Sequence, residues 1–369
     1  MKIRVVTGVL LALLLVSAVA TAQSDGPQKT PDGRFTIESE VPRLGVISQD
    51  NTGTCWSFGT MSFLESEVTR ITGMSVDLSE MYPVHFAYVE KAKRFIDAKG
   101  ENTFGEGGLC HDVIDVIKKY GITPNDDFTG LCNGAKRHNH GEMASLLKGM
   151  SQQLAKARRR SPVWEKAYSA VIETYLGELP KTVAVGDAQL TPVEYARDYL
   201  KLPLEDYVEV MSFATEPFWT TAALKVPDNW MHYDQYLNIP VNDMMAAFDH
   251  AIGKGYSLAV DMDVSEAGFQ AGAGKAKLDD ALEKSVITDE LRKEHFESGK
   301  TSDDHLMHIV GVAKDDEGGT WYMTKNSWGT VGPYKGYLLM SRQYVALKML
   351  SFMVHKDGLP SELRGKLGR

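Results

Sequence analysis

The sequence is short of cysteine, of basic charge and of long apolar runs beyond its first residues. Its three cysteines are an odd number among 369 residues, so at least one stays outside any disulfide within the chain. The formal net charge of −9, without a basic stripe, gives no reason to expect nucleic acid as a partner. We find no internal repeat and no low-complexity tract. A composition of 43% hydrophobic residues is ample for one large two-lobed domain or two modest ones.

The first 22 residues have the parts of a secretory signal peptide. Lys2 and Arg4 precede an apolar run over residues 5–20, and an Ala-x-Ala exit follows at residues 20–22. The run is short for a membrane span of about 20 residues, and no cysteine follows it as the site of a lipid anchor. We predict cleavage after Ala22 and a periplasmic or secreted mature chain without a membrane anchor. Loss of the two basic residues takes the charge from −9 to −11.

The chain is organised around residues 49–58, where a small polar loop runs into an apolar helical pattern at Cys55. Apolar side chains then recur at spacings of three and four, which is one buried face of a helix. They are Met61, Leu64, Val68 and Ile71. The unpaired N–H groups of a helix's first turn favour a thiolate over a thiol, so the pattern predicts a nucleophilic sulfur. The alternative is a small buried hydrophobe, which most free cysteines are.

Residues far from Cys55 in the sequence favour the nucleophile. Gln49 lies close enough upstream for its side-chain amide to return beside the sulfur. Residues 306–312 form an apolar strand pattern around His308, and residues 325–329 (KNSWG) follow a second strand. A cysteine at a helix start, a histidine in a strand and an asparagine after another strand together indicate catalysis by an attacking sulfur.

These motifs resemble those of papain-fold cysteine peptidases, and most closely the bleomycin hydrolase/aminopeptidase C branch, peptidase family C1B. The papain-type pattern Cys-Gly-Ser/Ala-Cys-Trp/Tyr reads TGTCW at residues 52–56, so the first cysteine is missing, as it is in that branch. Further matches lie at residues 78–80, 107–108, 112–114, 119–124 and 191–195. The resemblance implies an α+β fold of two lobes, one helical and one β-barrel-like, with a helical insertion.

The resemblance also implies hydrolysis of peptide bonds through a thioester on Cys55, without a cofactor. His308 would take the thiol proton and later give it to the leaving amine. Asn326 would hold the other ring nitrogen of His308, and Trp328 would cover that bond from water. The amide of Gln49 and the backbone N–H of Cys55 would hold the oxyanion of the tetrahedral intermediate.

His305 forms a His-x-x-His pair with His308, which suggests a metal site at first sight. Residues three apart on a strand point to opposite faces, and no third ligand lies nearby in the sequence. We therefore expect His305 at the surface or at the rim of the cleft, and no metal site. Gly107 and Gly108 carry no side chains, so by the same resemblance a peptide backbone would pair closely against them.

The substrates implied are peptides, and the resemblance favours an aminopeptidase. In the bleomycin hydrolase branch the enzyme's own C-terminal carboxylate holds the free amine of the substrate, usually inside a hexamer. The tail of this chain, residues 357–369, is basic, and its carboxylate is on Arg369. Two alternatives stay open, namely an exported endopeptidase with an open cleft and a catalytically silent binding protein of the same fold.

The coarse pattern divides the chain into five segments. These are a signal peptide (1–22), a helical lobe with the nucleophile (23–124), a helical insertion (125–238), a β-rich lobe with the histidine and asparagine (239–356) and the tail (357–369). Helices are predicted over 55–71, 79–98, 112–120, 244–252 and 288–297, and strands over 256–262, 306–313, 321–325, 336–341 and 349–355. Cys110 and Cys132 either form a disulfide or stay free, with Cys110 then in the cleft.

Overall fold

The structure, a computed structural model, describes residues 28–366, so the predicted signal peptide lies outside the described residues. The helices are α1 Cys55–Thr72, α2 Met81–Asp97, α3 Cys110–Tyr120, α4 Gly141–Lys156, α5 Trp164–Leu176, α6 Pro192–Glu194, α7 Val241–Gly253, α8 Asp280–Glu283, α9 Asp289–Glu297, α10 Arg342–Lys348 and α11 Ser361–Lys366. The strands are β1 Phe35–Glu40, β2 Val183–Val185, β3 Ala188–Leu190, β4 Tyr207–Met211, β5 Thr220–Ala222, β6 Tyr236–Asn238, β7 Leu258–Met262, β8 Phe269–Gln270, β9 Lys275–Ala276, β10 His305–Asp315, β11 Thr320–Lys325, β12 Tyr337–Ser341 and β13 Met349–His355.

The first lobe is a set of helices packed around α1. Met61, Leu64 and Val68 are fully buried on one face of α1, as the spacing of three and four predicts, but the prediction is wrong for Ile71, which is 37% exposed in the last turn. The helix ends at Gly73, whose φ of 74° lies in the left-handed region and whose N–H bonds the carbonyl of Thr69. Helices α2, α3, α4 and α5 contribute to the same apolar cluster.

The second lobe is built on one mixed sheet of eleven strands. Ten of them follow the order β5-β6-β4-β13-β7-β10-β11-β12-β9-β8, and β1 pairs with the outer part of β10. Helix α7 lies against this sheet, where Phe248 packs edge-on against Tyr322 and Phe352. Strand β10 runs between β7 and β11: its first residues pair with β7, and His308 and Ile309 pair with both strands.

Residues 125–238 are not the helical insertion that the sequence predicts. Helices α4 and α5 do pack onto α2, but β4 and β6 belong to the main sheet, where β4 pairs with β13. All five residues of β4 are buried, so this strand shows no alternation of polar and apolar residues. A short apolar stretch of this kind cannot be told from a buried helix by its periodicity.

The N-terminal arm also belongs to the second lobe, although the sequence assigns it to the first. Strand β1 pairs antiparallel with β10, and the buried Phe35 ring lies 5.0 Å from the ring of Trp321. Of its other residues only Ile37 is apolar, and the last three are exposed, which is typical of a strand with one covered face. No helix within residues 28–366 combines the length and the apolar character needed to cross a membrane.

The two lobes meet where the first turns of α1 lie on the start of β10. Gly59 of α1 faces Leu306, and a Cβ at Gly59 would lie 2.5 Å from the Leu306 side chain and 3.0 Å from its carbonyl oxygen. Only glycine lets the helix approach the strand this closely. The contact fixes Cys55, one turn earlier in α1, beside the first residues of β10.

Candidate active site

Cys55 is the first residue of α1 and lies at the contact between the lobes. Its side chain is partly exposed, and the backbone N–H of Leu306 donates a hydrogen bond to the sulfur. Burial raises the pKa of the Cys55 thiol to about 12, the Leu306 hydrogen bond opposes this, and three nearby aspartates add to it. The sulfur therefore touches β10 one residue beyond His305.

His305 and Asn326 form the hydrogen bond that the sequence assigns to His308. His305 Nε2 lies 2.7 Å from Asn326 Oδ1, which is an acceptor, so Nε2 carries the proton and Nδ1 is left as the basic nitrogen. The Trp328 ring covers this pair at 4.7 Å from the His305 ring. Burial lowers the pKa of His305 to about 4, against the effect of the Asn326 bond.

The prediction that Asn326 orients His308 is wrong. His308 is fully buried on the other face of β10, and its Nδ1 lies 2.9 Å from the hydroxyl of Ser62 on α1. The Phe63 ring packs edge-on against it at 6.2 Å. Burial and the nearby charges of Lys325 and Arg43 hold the pKa of His308 well below its usual range. The prediction that His305 lies at the surface or rim is wrong as well, since His305 is 4% exposed.

A β-bulge in the hairpin of β10 and β11 explains why Asn326 contacts His305 and not His308. Near the turn, β10 and β11 pair Ala313 with Trp321, and the same register would bring His308 opposite Asn326. The register shifts by one residue between Ile309 and Gly311, so His308 instead faces Lys325. A shift of one residue moves a side chain to the other face of the sheet, and Asn326 therefore shares its face with His305.

Gln49 ties the loop before Cys55 to the segment after β11. Its side-chain N–H donates to the carbonyl of Thr52 at 2.8 Å, and its Oε1 accepts from the Ser327 hydroxyl at 2.6 Å. The backbone N–H of Gln49 also donates to the Ser327 carbonyl at 2.8 Å. The amide is thus held in the loop that leads to the sulfur, and one of its two N–H groups has no acceptor within residues 28–366.

Gly107 and Gly108 lie beside the start of α1, held there through Trp56. The indole N–H of Trp56 donates to the Glu106 carbonyl at 2.9 Å, and a Cβ at Gly108 would lie 3.0 Å from the Trp56 ring. A Cβ at Gly107 would lie only 1.8 Å from a carboxylate oxygen of Asp228. The predicted glycine segment therefore adjoins the nucleophile, and the carboxylate of Asp228 lies against Gly107.

Three aspartates that act on the Cys55 sulfur are not predicted from the sequence. The carboxyl groups of Asp228, Asp261 and Asp303 all raise the pKa of Cys55. They come from the loop after β5, from β7 and from the turn before β10, so no local motif joins them. Only the tertiary fold brings these residues to one place.

One cluster of carboxylates near the site has the proximity of metal ligands. Oxygen atoms of Glu65, Asp77 and Glu80 lie within 4.8 Å of one another, and Lys325 Nζ is 4.0 Å from Glu65. Burial raises the pKa of Glu65 to about 8 and raises that of Glu80 well above its usual value. Protonated carboxyl groups beside an ammonium are a poor cation site, so we assign no metal here.

Cys110 and Cys132 are both free thiols in the described structure. Cys110 is buried at the start of α3 within the core of the first lobe. Cys132 lies away from that core and contacts the carbonyl oxygen of Tyr175 at 3.0 Å. The disulfide between them, one of the two possibilities left open by the sequence, is not formed.

Fold and site together define a papain-like cysteine peptidase with two lobes and an α+β architecture. The sequence model of the Peptidase C1-like family matches residues 11–368, and the chain belongs to this family. It is 23% identical to Aminopeptidase G of Lactobacillus delbrueckii subsp. lactis, over 89% of this chain and 85% of the relative. It is 22% identical to Aminopeptidase C of Listeria innocua, over 93% of this chain and 87% of the relative.

A solved structure shows the same fold. PepW from Lactobacillus rhamnosis HN001 superposes with a TM-score of 0.71 at 20% sequence identity, covering 90% of this chain and 84% of PepW. The predicted two-lobed papain-like fold and the predicted family are therefore confirmed.

Proposed function

We propose that this cysteine peptidase is an aminopeptidase that removes the first residue of peptides through a Cys55 thioester. The observation that carries the chemistry is the contact of the Cys55 sulfur with the N–H of Leu306, next to a His305 that is bonded to Asn326. The aminopeptidase names of the relatives support the choice of the peptide end.

In this reaction, Nδ1 of His305 takes the proton of the thiol as the sulfur attacks the scissile carbonyl carbon. The oxyanion accepts hydrogen bonds from the Cys55 backbone N–H and from the second N–H of the Gln49 amide. His305 then gives its proton to the leaving amine, and the C–N bond breaks to leave a thioester. Water, with His305 as the base, hydrolyses the thioester and releases the free amino acid.

Asn326 and Trp328 act on His305 rather than on the substrate. The Asn326 oxygen keeps the proton on Nε2, so that Nδ1 is the nitrogen that exchanges protons with the sulfur and the substrate. Trp328 excludes water from this bond, which strengthens it. Neither side chain needs to move during the reaction.

Two fluorogenic amides test this function, leucyl-methylcoumarin amide and its N-acetylated form. We expect the parent to hydrolyse the free amine at least about 100-fold faster in kcat/KM, and Cys55→Ala to hydrolyse neither. Equal cleavage of both amides would identify an endopeptidase with an open cleft. No cleavage of either, with no labelling of Cys55 by a peptide electrophile, would identify a silent binding protein.

We also propose that the chain is exported through residues 1–22, whose charge and apolar pattern support a cleaved leader. A mature N-terminus at Gln23, read by mass spectrometry on protein recovered from outside the cytoplasm, is the expected result. An uncleaved chain that stays in the cytoplasm would contradict it.

A homo-oligomer, hexameric by the resemblance, is the last part of the proposal. Light scattering on the purified chain should give a mass near six times that of the protomer. A monomer at micromolar concentration would contradict it.

A further inference from the structure

Three carboxyl groups flank Cys55 on the side of the cleft formed by β7 and the loop after β5. Asp261 lies on β7, Asp303 precedes His305 by two residues, and Asp228 lies over Gly107. All three act on the sulfur electrostatically. The proposed chemistry of Cys55 and His305 uses none of them, and each makes the thiolate harder to form, so their presence needs another reason.

Asp261 is a buried carboxyl group with a missing partner. It is 2% exposed, and no N–H or hydroxyl group within residues 28–366 donates to its Oδ2. In the pairing of β7 with β10 it stands opposite Leu306, the residue whose N–H contacts the Cys55 sulfur. A buried carboxylate oxygen without a donor is unfavourable, so this atom is suited to a donor that arrives with a ligand.

Asp303 continues the acidic site from Asp261 towards the cleft. The two carboxyl groups share a hydrogen bond, which requires a proton between them. Asp303 is only partly buried, so the pair reaches from the interior to the open side of the site. Burial and the neighbouring carboxylates raise the pKa of Asp303 to about 7, which is what two acidic groups do when no cation separates them.

Asp228 comes from the loop after β5 and acts electrostatically on both Asp261 and Asp303. Its carboxylate sits against the Cα of Gly107, where any other residue would displace it. Lys91 attracts Asp228, but its ammonium donates to the backbone carbonyl groups of residues 105–107. Among the described residues, no lysine, arginine or histidine forms an ion pair with Asp228, Asp261 or Asp303. Lys91 therefore offsets part of the charge of Asp228, whereas no cation among the described residues lies beside Asp261 and Asp303.

A peptide's free N-terminus supplies the missing cation at the right distance. In a substrate whose first residue is to be removed, only the Cα separates the ammonium nitrogen from the carbonyl carbon that the sulfur attacks. The substrate's ammonium group must therefore lie no farther from the Cys55 sulfur than the length of one substrate residue, which places it among these carboxyl groups. It offers three N–H donors, enough to bond Asp261 Oδ2 and Asp303 together.

We propose that Asp261 and Asp303, with Asp228 nearby, bind the ammonium group of the substrate and make the enzyme an aminopeptidase. This inference rests on the proposed function and names the residues that select the peptide end. It replaces the carboxylate of Arg369, which lies outside the described residues, as the group that holds the amine. Helix α11, which precedes it, packs Leu363 into the core of the second lobe and places Lys366 on the ring of Trp219.

The test compares Asp303→Asn and Asp228→Asn with the parent on four substrates. These are leucyl-methylcoumarin amide, its N-acetyl form, acetyl-lysyl-leucyl-methylcoumarin amide and acetyl-alanyl-leucyl-methylcoumarin amide. The measured quantity is the ratio of kcat/KM for the free amine to that for the acetylated form. A change in the pKa of Cys55 affects both substrates alike, so it cancels in this ratio. Asp187→Asn, an exposed aspartate in the turn between β2 and β3, is the matched control.

We expect Asp303→Asn to lower the ratio by about 30-fold or more, Asp228→Asn to lower it by less, and Asp187→Asn to leave it unchanged. Alkylation of Cys55 by iodoacetamide, which is uncharged, checks that each variant keeps an intact site. An unchanged ratio in both Asp303→Asn and Asp228→Asn would overturn the inference. The inference would also be overturned if deletion of residues 367–369 lowered this ratio to about one while Asp303→Asn left it at the parent's value.

The other two substrates separate the sources of the cation. If the parent prefers acetyl-lysyl-leucyl to both the free leucyl and the acetyl-alanyl-leucyl amides, the carboxyl groups bind a basic side chain and the inference is wrong. If the parent cleaves free and acetylated leucyl amides equally, the proposed function itself has failed. If the parent prefers the free amine and the aspartate variants do too, only the present inference has failed.

Discussion

At the scale of single residues, the sequence identifies the nucleophile but assigns the base to the wrong histidine. Cys55 stands out because it precedes a regular apolar helix pattern, and Asn326 because it sits in a specific motif. His305 and His308 share one apolar strand, and alternation shows only that they face opposite ways. Which of the two shares a face with Asn326 depends on the bulge between Ile309 and Gly311, and no residue type in the hairpin predicts that bulge.

Gln49 permits a prediction with a matched control, because its amide has two separable contacts. Gln49→Ala should reduce kcat by about 100- to 1,000-fold, the usual loss when one donor to an oxyanion is removed. Ser327→Ala removes the hydroxyl that holds Gln49 Oε1 but leaves the donor in place, so it should cost far less. Steady-state kinetics on leucyl-methylcoumarin amide would measure both. Equal losses in the two variants would mean that Gln49 only anchors the loop.

At the scale of elements, the sequence predicts those with a long regular pattern. Strand β13 was predicted over the residues it occupies, and the predicted helices at α1, α3, α7 and α9 differ from the structure by three residues or fewer at either end. The prediction fails for β1 and for β4 to β6. Strand β1 is mostly polar, β4 is buried on both sides, and β5 and β6 have three residues each. Pairing with distant strands stabilises them, so local sequence carries little information about them.

Gly59 lies at the contact of α1 with β10, and we expect its substitution to have the opposite effect on stability from that of Gly149, an exposed glycine in α4. Gly59→Ala would place a Cβ 2.5 Å from Leu306, so we expect it to lower the free energy of unfolding by about 1–3 kcal/mol and to displace Cys55. Gly149→Ala, in the exposed middle of α4 with open space around it, should raise the free energy of unfolding by about 0.5–1 kcal/mol. Urea denaturation measures both. A neutral Gly59→Ala would show that the helix does not need this close approach.

At the scale of the whole molecule, the site exists only where two lobes meet. Each lobe has its own apolar cluster, one around α1 and α2 and the other around α7 and the sheet. The sequence predicts this division because helical and strand patterns separate along the chain. It does not predict that aspartates from three distant segments converge on Cys55, since that depends on the packing of one lobe against the other.

Glu65 of α1 and Lys325 of β11 meet at this boundary, and the pKa of Glu65 predicts how stability depends on pH. Burial raises that pKa from 4.5 to about 8, so the folded state binds a proton that the unfolded state has released. The stabilisation from Glu65 is complete below about pH 4.5 and is lost as the pH rises through 8. Glu65→Gln should therefore lose less stability than the parent between pH 5 and pH 8, measured by urea unfolding at both. A larger loss in the variant would mean that Glu65 is ionised in the folded state.

The most direct test of the account replaces each histidine of β10 by glutamine and measures single-turnover acylation of Cys55. We expect His305→Gln to slow acylation by about 100- to 10,000-fold, because the base that takes the thiol proton is gone. His308→Gln should stay within about 10-fold of the parent and mainly lower thermal stability, because it loses the buried bond to Ser62. If instead His308→Gln abolishes acylation and His305→Gln does not, the assignment of the catalytic pair is contradicted.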